Sequence, residues 1–201
     1  MLAKTRRILS VYQTLLADAS FFRFLHQCDR ELAEEARRRG CLTCGDVLHR
    51  ADYLRRPRGE PRGLGEEFAR RDSFCCGREG CRKRHTPASL RFLGRRIYLG
   101  AIVVLVAILR EGPTPTRLAR LEELVGVCAR TVRRWRKWWR EQFPQTRVWQ
   151  AVRGRVARPI DEQRLPGSLL GRFLGTARER LVGLLRLLGP LSCRPPAGQG
   201  F

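Results

Sequence analysis

The chain has 201 residues, in which 41 lysines and arginines stand against 19 aspartates and glutamates, a formal net charge of +22. A field of that sign attracts polyanions and disfavours basic partners, which makes nucleic acid the leading partner class. The length admits one medium domain or two small ones, and no apolar run reaches the ~20 residues that cross a bilayer.

In chain order, residues 2–39 read as helical. Ile8, Leu9, Tyr12, Leu15 and Leu16 recur at helical spacing, Phe21, Phe22, Phe24 and Leu25 follow, and an apolar-charged stretch from Glu31 to Arg39 stops at Gly40. The expectation is an α-hairpin or bent helix leading into what comes next. Lys4, Arg6, Arg7, Asp18 and Arg23 interrupt the apolar residues between Met1 and Phe24, so no secretory leader is read there and a cytoplasmic location is expected. In that reducing compartment, eight cysteines are better explained by metal than by disulfides.

Cys41-Leu42-Thr43-Cys44-Gly45 has the two-residue spacing that lets two thiolates from one turn reach a single tetrahedral ion. Phe74-Cys75-Cys76-Gly77-Arg78-Glu79-Gly80-Cys81 supplies a second knuckle with glycines at its bends. Cys41, Cys44, Cys76 and Cys81 are the expected ligands of a zinc ribbon, with Cys75 the alternative to Cys76. His49 and His85 are read as surface residues that could substitute as nitrogen ligands. Four thiolates leave no open position for water, so the zinc would be structural. Between the halves, residues 55–65 turn to Arg, Pro and Gly, a composition that sustains neither helix nor strand, and read as a flexible basic loop.

Ile97 to Leu109 is the most apolar run and reads as a buried helix. Glu111-Gly112-Pro113-Thr114-Pro115 is a break, after which Thr116 can cap a short helix lined by Leu118, Leu121 and Leu124. Val125-Gly126-Val127-Cys128 follows as a turn, with glycine free to take a left-handed conformation. Ala129 to Arg140 is the next helix. Val132, Trp135 and Trp139 share one stripe suited to a core, while Arg130, Arg133, Arg134 and Lys137 project elsewhere. From Gly126 to Arg158 there are ten basic residues against one acid, Glu141, and all four indoles lie in that stretch. Arg130, Thr131 and Arg134 are expected to reach base edges, because the first turns of such a helix enter the major groove; Arg133, Lys137 and Arg140 are expected to contact phosphates.

These motifs resemble the N-terminal zinc ribbon and helix-turn-helix of certain insertion-sequence transposases. The resemblance spans Cys41 to Phe143 and is carried by the second knuckle, the basic Arg82-Lys83-Arg84-His85-Thr86 that follows, the apolar helix, and Gly126-Val127-Cys128 leading to Arg130-Thr131-Val132-Arg133-Arg134-Trp135. It departs in the doubled cysteine, the wide gap between knuckles, Cys128 at the position of a capping serine and Glu122 at that of a small residue. Its implication is a mainly α fold with a small β zinc ribbon and a homeodomain-like helix-turn-helix module, binding double-stranded DNA.

The nuclease domain of that family, with three carboxylates for two metal ions, is not expected here. Only 58 residues follow Phe143, carrying Asp161, Glu162 and Glu179 as their acids. The reading is therefore a non-enzymatic, nucleoid-associated accessory factor, working with a separate transposase subunit, or a transcriptional regulator. The alternative is an RNA-binding or ribosome-associated basic zinc protein. The expected partition is 1–39 helical segment, 40–96 ribbon, 97–143 apolar helix plus helix-turn-helix, and 144–201 basic tail. Within the tail an amphipathic helix over 168–188 is expected to pack on the body, with homodimer contact as its second reading and no membrane partner.

Overall fold

The computed structural model describes residues 14–16, 18–60, 63–93, 100–107, 119, 122–123, 126–154 and 159–193. Most of them are helical, with two small antiparallel sheets. Helix α1, Ala19–Arg39, begins at Asp18, whose carboxylate accepts from the Ser20 amide at 2.8 Å. It ends at Gly40 behind Arg37, Arg38 and Arg39, cations that suit the negative end of the helix dipole. Phe21, Phe22, Leu25 and Cys28 face the main core, and Ala33, further along the helix, belongs to the core around the cysteines. The helical segment read upstream of residue 14 lies outside the described residues.

Strands β1 (Leu48–Arg50), β4 (Phe74–Cys76) and β5 (Arg84–His85) form one sheet in the order β1-β4-β5; β2 (Tyr53–Leu54) and β3 (Arg70–Arg71) form the other. The basic segment lies in the β2–β3 connection. There Arg56 pairs with Glu60 at 3.1 Å, a local tie that the reading of a structureless loop did not anticipate.

Helix α2, Gly100–Ala107, lies inside the predicted apolar run, and Ala101 to Val104 have no exposed surface. Helix α3, Ala129–Lys137, continues without a break through a π-helical turn, Trp138–Gln142, into a 3₁₀ turn, Phe143–Gln145. Thr146 then caps α4, Arg147–Arg153, by accepting from the Trp149 amide. The predicted amphipathic helix over 168–188 is two helices, α5 (Gly167–Leu170) and α6 (Ala177–Leu188), separated at Gly171–Thr176. Thr176 and Glu179 form a reciprocal capping box that restarts the chain as helix.

One apolar core runs through all of these helices. It gathers Phe21 and Leu25 of α1, Ile102 of α2, Val132 and Trp135 of α3, Trp149 of α4, Leu169 of α5 and Leu181, Leu184 and Leu188 of α6. The leucines of the 168–188 segment thus pack on the body as expected, and Trp149 and Leu165, from the part of the tail before that segment, join the same core. A second, smaller core of Ala33, Cys41, Leu48, Phe74 and Cys76 sits under the cysteines. The two regions are joined by Leu64, Phe68 and Leu90, which pack in the main core, and by a buried ion pair with its hydrogen bonds. Asp29 of α1 accepts from Ser89 Oγ at 2.6 Å, the Leu90 amide at 2.6 Å and Arg91 Nε at 2.8 Å, and Arg91 also donates to the carbonyls of Phe68 and Arg70.

Candidate metal centre and basic helix

Each knuckle is a backbone turn that points two sulfurs the same way. In the first, the Cys41 amide donates to Asp46 O and the Gly45 amide to Cys41 O, both at 2.8 Å; Gly45, at φ 76°, reverses the chain. In the second, the amides of Cys81 and Arg82 converge on Arg78 O at 3.1 and 3.3 Å. The Gly77 amide donates to Val47 O at 2.9 Å and locks one knuckle against the other.

The sulfurs of Cys41, Cys44, Cys76 and Cys81 all lie within 4.8 Å of one another. Cys41 and Cys81 are 3.8 Å apart and Cys44 and Cys76 3.4 Å. Metal–sulfur bonds of about 2.3 Å in a tetrahedron separate neighbouring sulfurs by about 3.8 Å. The donor set therefore fits a bound metal ion.

The register of β4 decides between the paired cysteines. Cys76 lies opposite Leu48 and is fully buried, while Cys75 lies opposite His49 on the other face, with its sulfur 3.4 Å from Arg82 O. Cys75 is thus excluded from the quartet. His49 is exposed beside Gly77, where a β-carbon would meet its Nε2 at 2.6 Å, so it covers the second knuckle rather than joining the ligands. His85 of β5 places Nε2 3.2 Å from Cys41 Sγ, a hydrogen-bonding partner to a ligand sulfur that the sequence reading left at the surface.

Burial works against ionising Cys41, but the amides of Thr43 and Cys44, together with His85, outweigh it and lower its thiol to about 5. Burial pushes the Cys76 thiol up to about 12, and the neighbouring sulfurs of Cys44, Cys81 and Cys41 act in the same direction. The two thiols are thus shifted in opposite directions, and a divalent cation held between them would take the proton from each, since ligand thiols give up their protons to the metal.

The second feature is helix α3. Gly126 takes φ 64°, the left-handed turn expected of it, and Val127 behind it is buried. Val132, Trp135 and Trp139 are buried as their spacing predicted. Trp138 packs on Trp139 and Phe143, with ring centroids 4.8 and 5.5 Å away, so this indole belongs to an aromatic cluster.

Arg130, Arg133, Arg134 and Arg140 are exposed and have no acidic partner among the described residues. Lys137 is exposed but pairs with Glu141 at 3.6 Å. Thr131 is a correction: it is buried, with Oγ1 3.4 Å from Cys128 Sγ, and so is not presented to a base edge. Cys128 makes no side-chain cap bond, as expected for a thiol in that position. Of the preceding helix only residues 119 and 122–123 are described, and Leu118, Leu121 and Leu124 lie outside the described residues.

No protein-family model matches the chain, and no curated protein or solved structure is significantly similar to it. Among the described residues no helix is long and apolar enough to cross a membrane.

Proposed function

We propose that this chain is a zinc-stabilised protein that binds double-stranded DNA, laying the exposed face of α3 in the major groove. The observation that carries the reading is the division of that helix. Val132, Trp135 and Trp139 hold one side in the core, while Arg130, Arg133, Arg134 and Arg140 are exposed with no acidic partner among the described residues. A cation held that way on a rigid element is suited to phosphate or to the guanine edge, where the guanidinium forms two parallel hydrogen bonds. Arg130 and Arg134, on the first turns, are assigned to base edges; Arg133, Lys137 and Arg140 are assigned to phosphates. Gly126, in a left-handed conformation, and the buried Val127 are read as the turn of a helix-turn-helix that leads into α3.

The four-thiolate centre is assigned to zinc as a structural ion, because a closed tetrahedral sulfur set is the usual zinc environment in a small β ribbon and leaves no site for a reactant. A relation to the DNA-binding region of insertion-sequence transposases is part of the proposal, supported by the knuckle and helix motifs; the role proposed for the chain is that of an accessory factor or regulator.

The test is fluorescence anisotropy on labelled duplex with structured RNA as competitor, after selection of a preferred site from random duplex. The expected result is salt-dependent binding with the selected site preferred by roughly a thousandfold over random duplex. Replacing Arg134 by Gln should cost about 1 to 3 kcal/mol on that site and relax preference at one base pair. Stronger competition by structured RNA than by duplex would overturn the reading in favour of an RNA-binding protein.

A further inference from the structure

The arginines around the ribbon fall into two populations. Along α1 and on β1, most of the cations near the ribbon are neutralised. Arg50 pairs with Glu34 and lies 3.6 Å from Asp52, Arg30 pairs with Asp72 at 2.8 Å, Arg37 with Glu34 at 3.7 Å, and Arg39 with Glu35. Arg84 is also committed, donating to Ser73 Oγ and Ala51 O and lying over the Tyr53 ring at 5.1 Å. On the second knuckle the pattern reverses. Arg78, Arg82 and Lys83 are all exposed, and none of them has an acidic partner among the described residues, although Glu79 stands in the same turn.

Arg78 and Arg82 are also held close together. The Arg82 amide donates to Arg78 O, and Arg82 adopts φ 43°, a conformation that a side chain with a β-carbon seldom takes. All three cations of this knuckle lack an acid among the described residues, whereas Arg30, Arg37, Arg39 and Arg50 have one and Arg38 is the exception along the end of α1.

From this we infer that the second knuckle is a separate phosphate-binding surface, with Arg78, Arg82 and Lys83 gripping the sugar-phosphate backbone of the duplex that α3 reads. The inference rests on the proposed DNA-binding function and adds a second point of attachment to it. It makes the metal centre part of the binding machinery, because the four thiolates fold the turn that presents these cations. The contacts are to phosphate, so they add affinity for all duplexes alike and carry no sequence preference. The competing role for the same charges is to offset the negative charge of four thiolates around a divalent ion.

The experiment compares the full chain with the R78Q/R82Q/K83Q variant, measuring duplex affinity across a salt series together with zinc content. Each lost phosphate contact lowers the slope of log affinity against log salt by about 0.9, so the variant should lose about 2 to 3 from that slope. It should keep its zinc and its preference for the selected site over random duplex. An unchanged slope in a variant that still binds overturns the second surface and leaves the α3 reading intact, whereas a wild-type chain that ignores duplex at low salt overturns both. Loss of zinc from the variant also overturns it, by showing that the cations serve the thiolate centre. As a second arm, R130Q/R133Q/R134Q should abolish site preference but retain weak, salt-dependent duplex binding through the knuckle; complete loss of that residual binding counts against the inference.

Discussion

The ribbon and the helical body are held together by different physics. In the body, Trp135, Trp139, Trp149 and Phe143 are buried, with the Trp139 and Trp149 rings 4.7 and 5.5 Å from that of Phe143, and leucines from α5 and α6 close over the same core. Apolar area on this scale is stabilising with no ligand present. In the ribbon, the core is Ala33, Cys41, Leu48, Phe74 and Cys76, so two of its five side chains are themselves candidate metal ligands. Leu64, Phe68 and Leu90, from the same stretch of chain, belong to the main core instead, and little apolar surface remains under the β1-β4-β5 sheet. A region that cannot bury enough surface depends on a cross-link, and an ion bound by the four thiolates would supply one.

The sharpest way to break this contrast is to remove the ion. Chelation of the purified protein should cost the ribbon on the order of 10 kcal/mol and abolish amide-exchange protection over residues 41–50 and 74–85. Tryptophan emission and the protection of α3 and α6 should survive. Loss of both together would show a single cooperative unit.

A smaller effect is expected at the joint. Asp29→Asn leaves Arg91 buried without its counter-charge, beside the equally buried Arg71, and should destabilise the protein by about 3 kcal/mol in denaturant melts. Because Asp29 binds segment 89–91 to α1, this variant should loosen the coupling between the two regions, so that ribbon and body melt further apart than in the wild type.

The smallest effect lies within the body. Thr176→Ala removes the capping box of α6 and should cost about 1 kcal/mol without changing metal content. The same change should alter the acid limb of stability. Hydrogen bonds from the Thr176 amide and hydroxyl hold the Glu179 carboxyl below its ordinary value of 4.5. A carboxyl lowered in the folded state contributes stability that is present above the unfolded value and is lost as pH falls through the folded one. The wild type should therefore lose this increment on acidification below about pH 4.5, and the variant should show less of that loss.

How far the sequence could be read depended on the range of the interactions involved. The quartet Cys41, Cys44, Cys76 and Cys81 was legible because each knuckle is a local turn with its own spacing and glycines. Choosing Cys76 over Cys75 was not, since it depends on the register that sets Cys76 opposite Leu48. Val132, Trp135 and Trp139 were legible as a core stripe because helical periodicity is local. Thr131 was misassigned because its burial follows from the seating of the whole helix on the core.

Asp29 gave no local sign of its role, as its partners Ser89, Leu90 and Arg91 are about 60 positions away. The segment after Phe143 was read as a tail because Pro and Gly punctuate it. Its amphipathic helix over 168–188 was legible from the spaced leucines; the Thr146 cap was the signal for the helix before it, the Thr176–Glu179 box the signal for the restart at Ala177, and Trp149 the residue to place in the core.

The Ser89 amide donates to Ser192 Oγ at 2.8 Å, and Ser192 Oγ in turn donates to Gly189 O. Two points about a hundred positions apart therefore meet in one buried clasp. During synthesis, the ribbon has all four sulfurs in hand once residue 81 has left the ribosome and can close around metal at once. The body must wait for a segment made more than a hundred residues later, and its leucine- and tryptophan-rich helices stay uncovered in the interval. The early-folding module is thus tethered to a late-folding one, and that interval is when a nascent chain of this composition is most open to aggregation.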